Sequence, residues 1–196
     1  MKTGEKGIDL ITHFEGCYLD AYKDAVGIPT IGYGHIKNVH MGMTITQEQA
    51  IEFLKEDLAE AENAVEHYVN VDINQDQFDA LVSWVFNLGS GNLSASTMLK
   101  RINAKEWQDV PYQIQRWNKA GGKVLKGLVR RRAAEALLWQ SKDWKFYDDY
   151  DNAPSYKDSN NNNSTFLDKL SDKVDKLEDK LAESIDKMED EIDPPF

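Results

Sequence analysis

The 196-residue chain contains one cysteine, Cys17, so no intrachain disulfide can form and stability must come from packing. As a free thiol in such a chain, Cys17 reads as a small core residue. No apolar run approaches the roughly 18–20 residues that span a bilayer, and Met1-Lys2-Thr3-Gly4-Glu5 opens without the apolar stretch of a secretory signal. These absences imply synthesis as a soluble cytoplasmic protein with no stable membrane anchor. Histidines 13, 35, 40 and 67 and the lone cysteine lack metal-ligand spacing, so neither metal nor cofactor is expected. The formal charge of −11 disfavours nucleic acid as a partner of the whole chain.

Charge is distributed unevenly. Residues 46–80 hold one lysine, Lys55, against ten acids, whereas 100–132 hold ten basic residues against Glu106 and Asp109. One lobe should be anionic and the other cationic, which suits attraction of the latter to an anionic polymer. The last segment, 165–193, is acidic again, with five lysines against eleven acids.

Periodicity divides the chain into three parts: a globular body over 1–145, a polar linker over 146–164 rich in asparagine, and an acidic amphipathic helix over 165–196. In the last part Leu167, Leu170, Val174, Leu177, Leu181, Ile185, Met188 and Ile192 recur at steps of three and four, a coiled-coil-like stripe. Such a helix buries nothing alone and wants a partner: a second copy, another protein or the body. Within the body, helices are expected over about Thr3–Phe14, 46–69 after a Thr46/Gln49 capping box, and Asn74–Leu88. Further helices are expected from Ser94 to about Ala104, over Glu106–Trp117, and from about Val124 to Gln140. Cys17–Gly34 alternates apolar residues with turn formers and is the one β-rich stretch expected. These elements read as mainly α-helical with a small β part, an α+β class, and a helix as long as 46–69 can link two lobes.

Candidate chemistry lies where the first helix meets the β-rich stretch. Glu15 stands at a helix end, where the negative macrodipole terminus favours its protonated form and Phe14 and Tyr18 exclude water. Asp24 occupies a polar turn that stabilises an anion, and Thr30 supplies a neutral hydroxyl beside it. Glycoside hydrolysis needs a protonated acid on one side of the scissile bond and an ionised carboxylate on the other, and the Thr30 hydroxyl can hold a water against Asp24 where an inverting enzyme needs its nucleophile. Trp107 and Trp117 read as core aromatics.

The run Phe14-Glu15-Gly16, Ala21-Tyr22-Lys23-Asp24, Gly27 and Thr30-Ile31-Gly32-Tyr33-Gly34-His35 resembles the opening of the phage-type lysozymes, the endolysin muramidases of glycoside hydrolase family 24. Phe86-Asn87-Leu88-Gly89, the segment from Ser96, Arg116-Trp117-Asn118 and Gly127–Glu135 continue the likeness, which covers about residues 3–140. The resemblance implies a two-lobed lysozyme-like fold with a small β-sheet in its N-terminal lobe. It further implies hydrolysis of the β-1,4 bond between N-acetylmuramic acid and N-acetylglucosamine in peptidoglycan. Glu15 would donate the proton, and Asp24 and Thr30 would position water.

By the same resemblance Ile36, Phe86, Ser96 and Gln113 would line the sugar cleft, with core packing the alternative for Ile36 and Phe86. His35 is expected to play a structural hydrogen-bonding role. Among arginines 130–132, the apolar positions Leu125, Leu128, Val129 and Ala136 place Arg132 near the inward stripe, where it must find an acid; Glu15 is one candidate. The protein would reside in the bacterial host's cytoplasm until lysis and act on the cell wall once released. A virion-associated lysozyme, or a non-catalytic scaffold using the C-terminal helix, are the rival readings.

Overall fold

A computed structural model of the chain describes residues 1–24 and 27–147. The linker expected over 146–164 lies outside them except for its first two residues, and the 165–196 helix lies outside entirely. No helix among the described residues is long and apolar enough to cross a membrane.

The body begins with helix α1 (Glu5–Glu15), whose Leu10 and Ile11 are fully buried. Its N-terminus has no cap of its own, since Gly4 precedes it. Two acids from other helices serve instead. Asp79 accepts from the Gly4 and Gly7 N–H groups at 2.9 and 3.2 Å, and Glu62 accepts from the N–H and hydroxyl of Thr3 at 2.8 Å each and from Lys2 at 2.6 Å. Gly7 permits this approach, because a Cβ there would sit 2.9 Å from the Asp79 side chain. At the other end Gly16 has φ +71°, a backbone region costly for residues with a Cβ, so α1 stops directly after Glu15.

The chain then forms an antiparallel hairpin of β1 (Tyr18–Lys23) and β2 (Pro29–Gly32), pairing Tyr18 with Gly32, Tyr22 with Thr30 and Lys23 with Pro29. A register shift lies between Tyr18 and Tyr22. Helix α2 (Gln47–Tyr68) follows, opened by the expected capping box: Thr46 accepts from the Gln49 N–H and Gln49 reaches back to the Thr46 N–H. Its buried face is Ala50, Leu54, Leu58, Ala61 and Val65. Helix α3 (Gln75–Leu88) has the same device at Asn74 and Gln77, and Phe78 through Val85 are all buried, so α3 is the centre of the helical core.

Beyond α3 the elements differ from those expected. The helix expected from Ser94 is two short ones, α4 (Ser90–Ala95) and α5 (Thr97–Asn103), because the Ser96 hydroxyl caps the Leu99 N–H and starts a new helix. Helix α6 is only Val110–Gln115. The Ala120-Gly121-Gly122 break is the turn of a second small hairpin, β3 (Lys119–Ala120) with β4 (Lys123–Val124), so Cys17–Gly34 is not the single β region. The last helix, α7 (Lys126–Trp139), lacks the expected stripe: Leu125 is exposed, Leu128 and Val129 are half-buried, and Arg131 through Trp139 are buried all round. Tyr147, after a 3₁₀ turn at Trp144–Phe146, is also buried; its hydroxyl meets His13 at 2.9 Å and accepts from Arg130 at 3.0 Å. The packed body therefore reaches Tyr147, two residues past the boundary expected from composition.

The two acids at the head of α1 respond to pH with opposite sign. Burial pushes Glu62 up, but Lys2 and Thr3 together outweigh it and hold the carboxyl below its ordinary value near 4.5. Glu62 thus stabilises the fold above that value, and the contribution is lost as pH falls through the lowered one. Burial raises Asp79, more than its Gly4, Gln75 and Gly7 donors lower it, so its contribution is present at acid pH and lost as pH rises. Glu62→Gln is expected to flatten the fall of melting temperature on acidification below about pH 4.5. Thermal unfolding at a series of pH values measures this, and an unchanged slope contradicts it.

Candidate active site

Glu15 is the last residue of α1, three residues before β1, and Asp24 is the first residue after β1. One short strand therefore separates the two carboxylates in sequence, and the fold of the hairpin returns Thr30 to Tyr22, two residues from Asp24. Each is held by local geometry. The Asp24 turn is closed by the Gly27 N–H donating to the Asp24 carbonyl at 3.0 Å and the Asp24 N–H donating to the Ile28 carbonyl at 3.0 Å. The Ile28 N–H donates to Asp24 Oδ1 at 2.8 Å, so the carboxylate is fixed to its own turn. Thr30 is buried, and its hydroxyl donates to the Ile28 carbonyl at 3.0 Å. With the proton directed there, Oγ1 offers lone pairs to any neighbouring donor.

Glu15, 25% exposed, meets a cation: Arg131 Nη1 donates to its Oε1 at 2.6 Å. The acid expected for Arg132 is different. Arg132 is fully buried, as the cost of an unpaired inward charge demands, but it pairs with Glu135 one turn along α7, Nε to Oε2 at 2.7 Å. The reason is angular. Residues 131 and 132 lie about 100° apart on a helix, and it is the Arg131 side that looks toward the end of α1.

His35 joins the hairpin to α2 through its contacts. Its Nδ1 lies 2.9 and 3.0 Å from the Asp57 carboxylate oxygens, its ring stacks on Phe53, and its backbone exchanges two 2.9 Å hydrogen bonds with Ile31. Ile36 is 54% exposed, and half-buried Phe86 lines a cavity of about 210 Å³ with Asp57, Glu60 and Ser90. Both remain able to meet a ligand. Ser96 is 2% exposed, and its hydroxyl donates to the Leu93 carbonyl at 2.8 Å while accepting from Leu99. Gln113 is buried too, its carbonyl oxygen taking Arg116 Nη1 at 2.9 Å.

Two residues escaped the sequence reading, Asp57 among the solvated acids of α2 and Glu135 within a run of alanines; Arg131 stood among the three arginines singled out, but not as the one that meets Glu15. The i,i+4 and i,i+3 spacings of Glu135 from Arg131 and Arg132 were a visible signal. What the spacing could not tell is that the cluster is buried.

A family model described as Phage lysozyme matches residues 12–135, which include all three candidate catalytic positions. The endolysin of Salmonella phage P22 is 42% identical over 143 residues, 70% of this chain and 98% of that endolysin. The endolysin of Bacillus phage B103 is 37% identical over 184 residues, 91% of this chain and 69% of that endolysin. Among solved structures, the endolysin from Escherichia coli O157:H7 phage FAHEc1 superposes with a TM-score of 0.65 at 41% identity, covering 71% of this chain and 93% of that one.

Proposed function

Because the chain belongs to the phage lysozyme family and is an endolysin-type lysozyme, a glycosidase, we propose that it cleaves the β-1,4 bond from N-acetylmuramic acid to N-acetylglucosamine in peptidoglycan with inversion. The observation that carries the reading is the placement of Glu15 at the end of α1, held by Arg131 through Oε1 alone, beside a hairpin that presents Asp24 and Thr30.

In this reading Glu15 Oε2 carries the proton and gives it to the glycosidic oxygen as the C–O bond breaks. The Arg131 guanidinium then stabilises the carboxylate left behind. A water donates one hydrogen to Asp24, the base, and the other to Thr30 Oγ1, whose own proton is committed to Ile28. The water lone pair is thereby aimed at the anomeric carbon. A proton returns from Asp24 to Glu15 through solvent, which closes the cycle. Inversion requires room for that water, roughly 6.5–9.5 Å between carboxyl groups. Proton NMR of soluble glycan fragments during early turnover tests the stereochemistry: the α-anomer of the new reducing end is expected first, and the β-anomer first would contradict the roles of Asp24 and Thr30.

Ile36 and Phe86 are the side chains we assign to the sugar cleft. The protein acts on the cell wall, which it reaches from the host cytoplasm. We attach the apolar stripe of 165–193 to self-association of the full chain. Sedimentation of the full-length protein should then give a dimer or larger species, and a monomer would remove that assignment.

A further inference from the structure

Arg131 uses three sides of its guanidinium. Nη1 donates to Glu15 Oε1 at 2.6 Å, Nε to Glu135 Oε1 at 3.3 Å, and Nη2 to the Ser83 carbonyl at 3.3 Å. Glu135 is fully buried and is the hub of the group. Its Oε1 also accepts from Ser83 Oγ at 2.8 Å and from Arg132 Nη2 at 2.8 Å. Two guanidiniums, one buried carboxylate and a serine of α3 therefore stand behind the single carboxylate that reaches the site.

Such a cluster is a poor way to stabilise a core. A buried ion group rarely outperforms apolar residues of the same volume, and Arg132 Nη1 has no hydrogen-bond partner among the described residues. Arg131, Arg132 and Glu135 are buried and Glu15 is the partly exposed end, so whatever the cluster does, it does through Glu15.

We propose that Glu135, pinned by Ser83, is a positioning residue for the general acid: it holds Arg131 so that the guanidinium engages Glu15 through Oε1 alone and Oε2 is left for the proton. The inference rests on the reading of Glu15 as the acid. Without the Glu135 charge, Arg131 loses its Nε anchor and can turn to grip both Glu15 oxygens, a geometry arginine favours. Both Glu15 oxygens would then accept from Arg131, and neither would be left for the proton.

The other charges around α1 lie elsewhere. Asp76 and Asp79 of α3 serve its N-terminal end, Lys145 after α7 meets Asp9, and His13 is bonded to Tyr147, over whose ring Arg130 lies. From the hairpin, Asp24 belongs to the site itself.

The test is the pH profile of kcat and KM for the full chain on soluble peptidoglycan fragments, with Ser83→Ala, Glu135→Gln and Glu15→Gln beside the parent. Glu135→Gln should move the alkaline limb of kcat down by about one pH unit and lower neutral-pH kcat about tenfold, with KM unchanged. Ser83→Ala removes one hydroxyl, keeps the fold, and should move the limb the same way by a few tenths of a pH unit. If Glu135→Gln does not fold, Ser83→Ala decides. Profiles that superimpose on the parent, with only melting temperature lowered, overturn the proposal and leave Glu135 a structural counter-ion. Full activity of Glu15→Gln would instead remove the catalytic reading beneath it; an inactive Glu15→Gln with unmoved profiles removes the positioning role alone.

Discussion

Replacing Glu15 with glutamine is expected to slow peptidoglycan hydrolysis by roughly 10²–10⁴-fold while the chain stays folded. The amide keeps the shape of the side chain and its oxygen can still accept from Arg131 Nη1, so the contact that ties α7 to the end of α1 survives in weakened form. Position also protects the fold, since Glu15 is a quarter exposed at a helix terminus and contributes little apolar burial. What the amide cannot do is release a proton to a leaving oxygen. Initial rates of wall-suspension clearing, read beside far-ultraviolet circular dichroism, separate these effects. Clearing equal to that of the parent by a folded Glu15→Gln chain would sink the assignment.

The second large effect is on stability. Trp84→Ala should cost roughly 3–5 kcal/mol and lower the melting temperature by about 10–15 °C. Trp84 is fully buried at the centre of α3 and meets Trp117 edge-on, with ring centroids 5.1 Å apart. Its Nε1 has no hydrogen-bond partner among the described residues, so the loss is packing rather than polar pairing. The neighbouring Ser83 anchors Glu135 and Arg131, which means that loosening α3 also loosens the support of Glu15. Activity of Trp84→Ala should accordingly disappear at a lower temperature than that of the parent. A melting shift below about 3 °C, the effect of roughly 1 kcal/mol, would contradict the central place given to α3.

Features governed by near neighbours in the chain were legible in the sequence. The Thr46 capping box opens α2 as expected, Asn74 opens α3, and the absence of a polar side on α3 marks it as buried. Asp24 and Thr30 were readable for the same reason, because a tight hairpin makes their relation local. Where two local signals compete, the reading failed: Ser94 and Ser96 are both good helix starters, and only the packing of Leu93, Met98 and Leu99 selects Ser96. Non-local partners were invisible. Nothing near Gly4 reveals that Asp79 caps α1 across 75 residues, and although Glu15 was a candidate partner for arginines 130–132, nothing in the sequence selects Arg131, 116 residues away, over Arg132. The burial of α7 all round, with its charges inside, likewise follows from its neighbours α3 and α6 rather than from its own periodicity.

The most direct test of the central claim is digestion of purified peptidoglycan by the full chain, with the new sugar ends identified by mass spectrometry beside a Glu15→Gln control. Reducing N-acetylmuramic acid ends from the parent and none from the variant are the expected result. Reducing N-acetylglucosamine ends, or cut peptide stems with intact glycan strands, would contradict it.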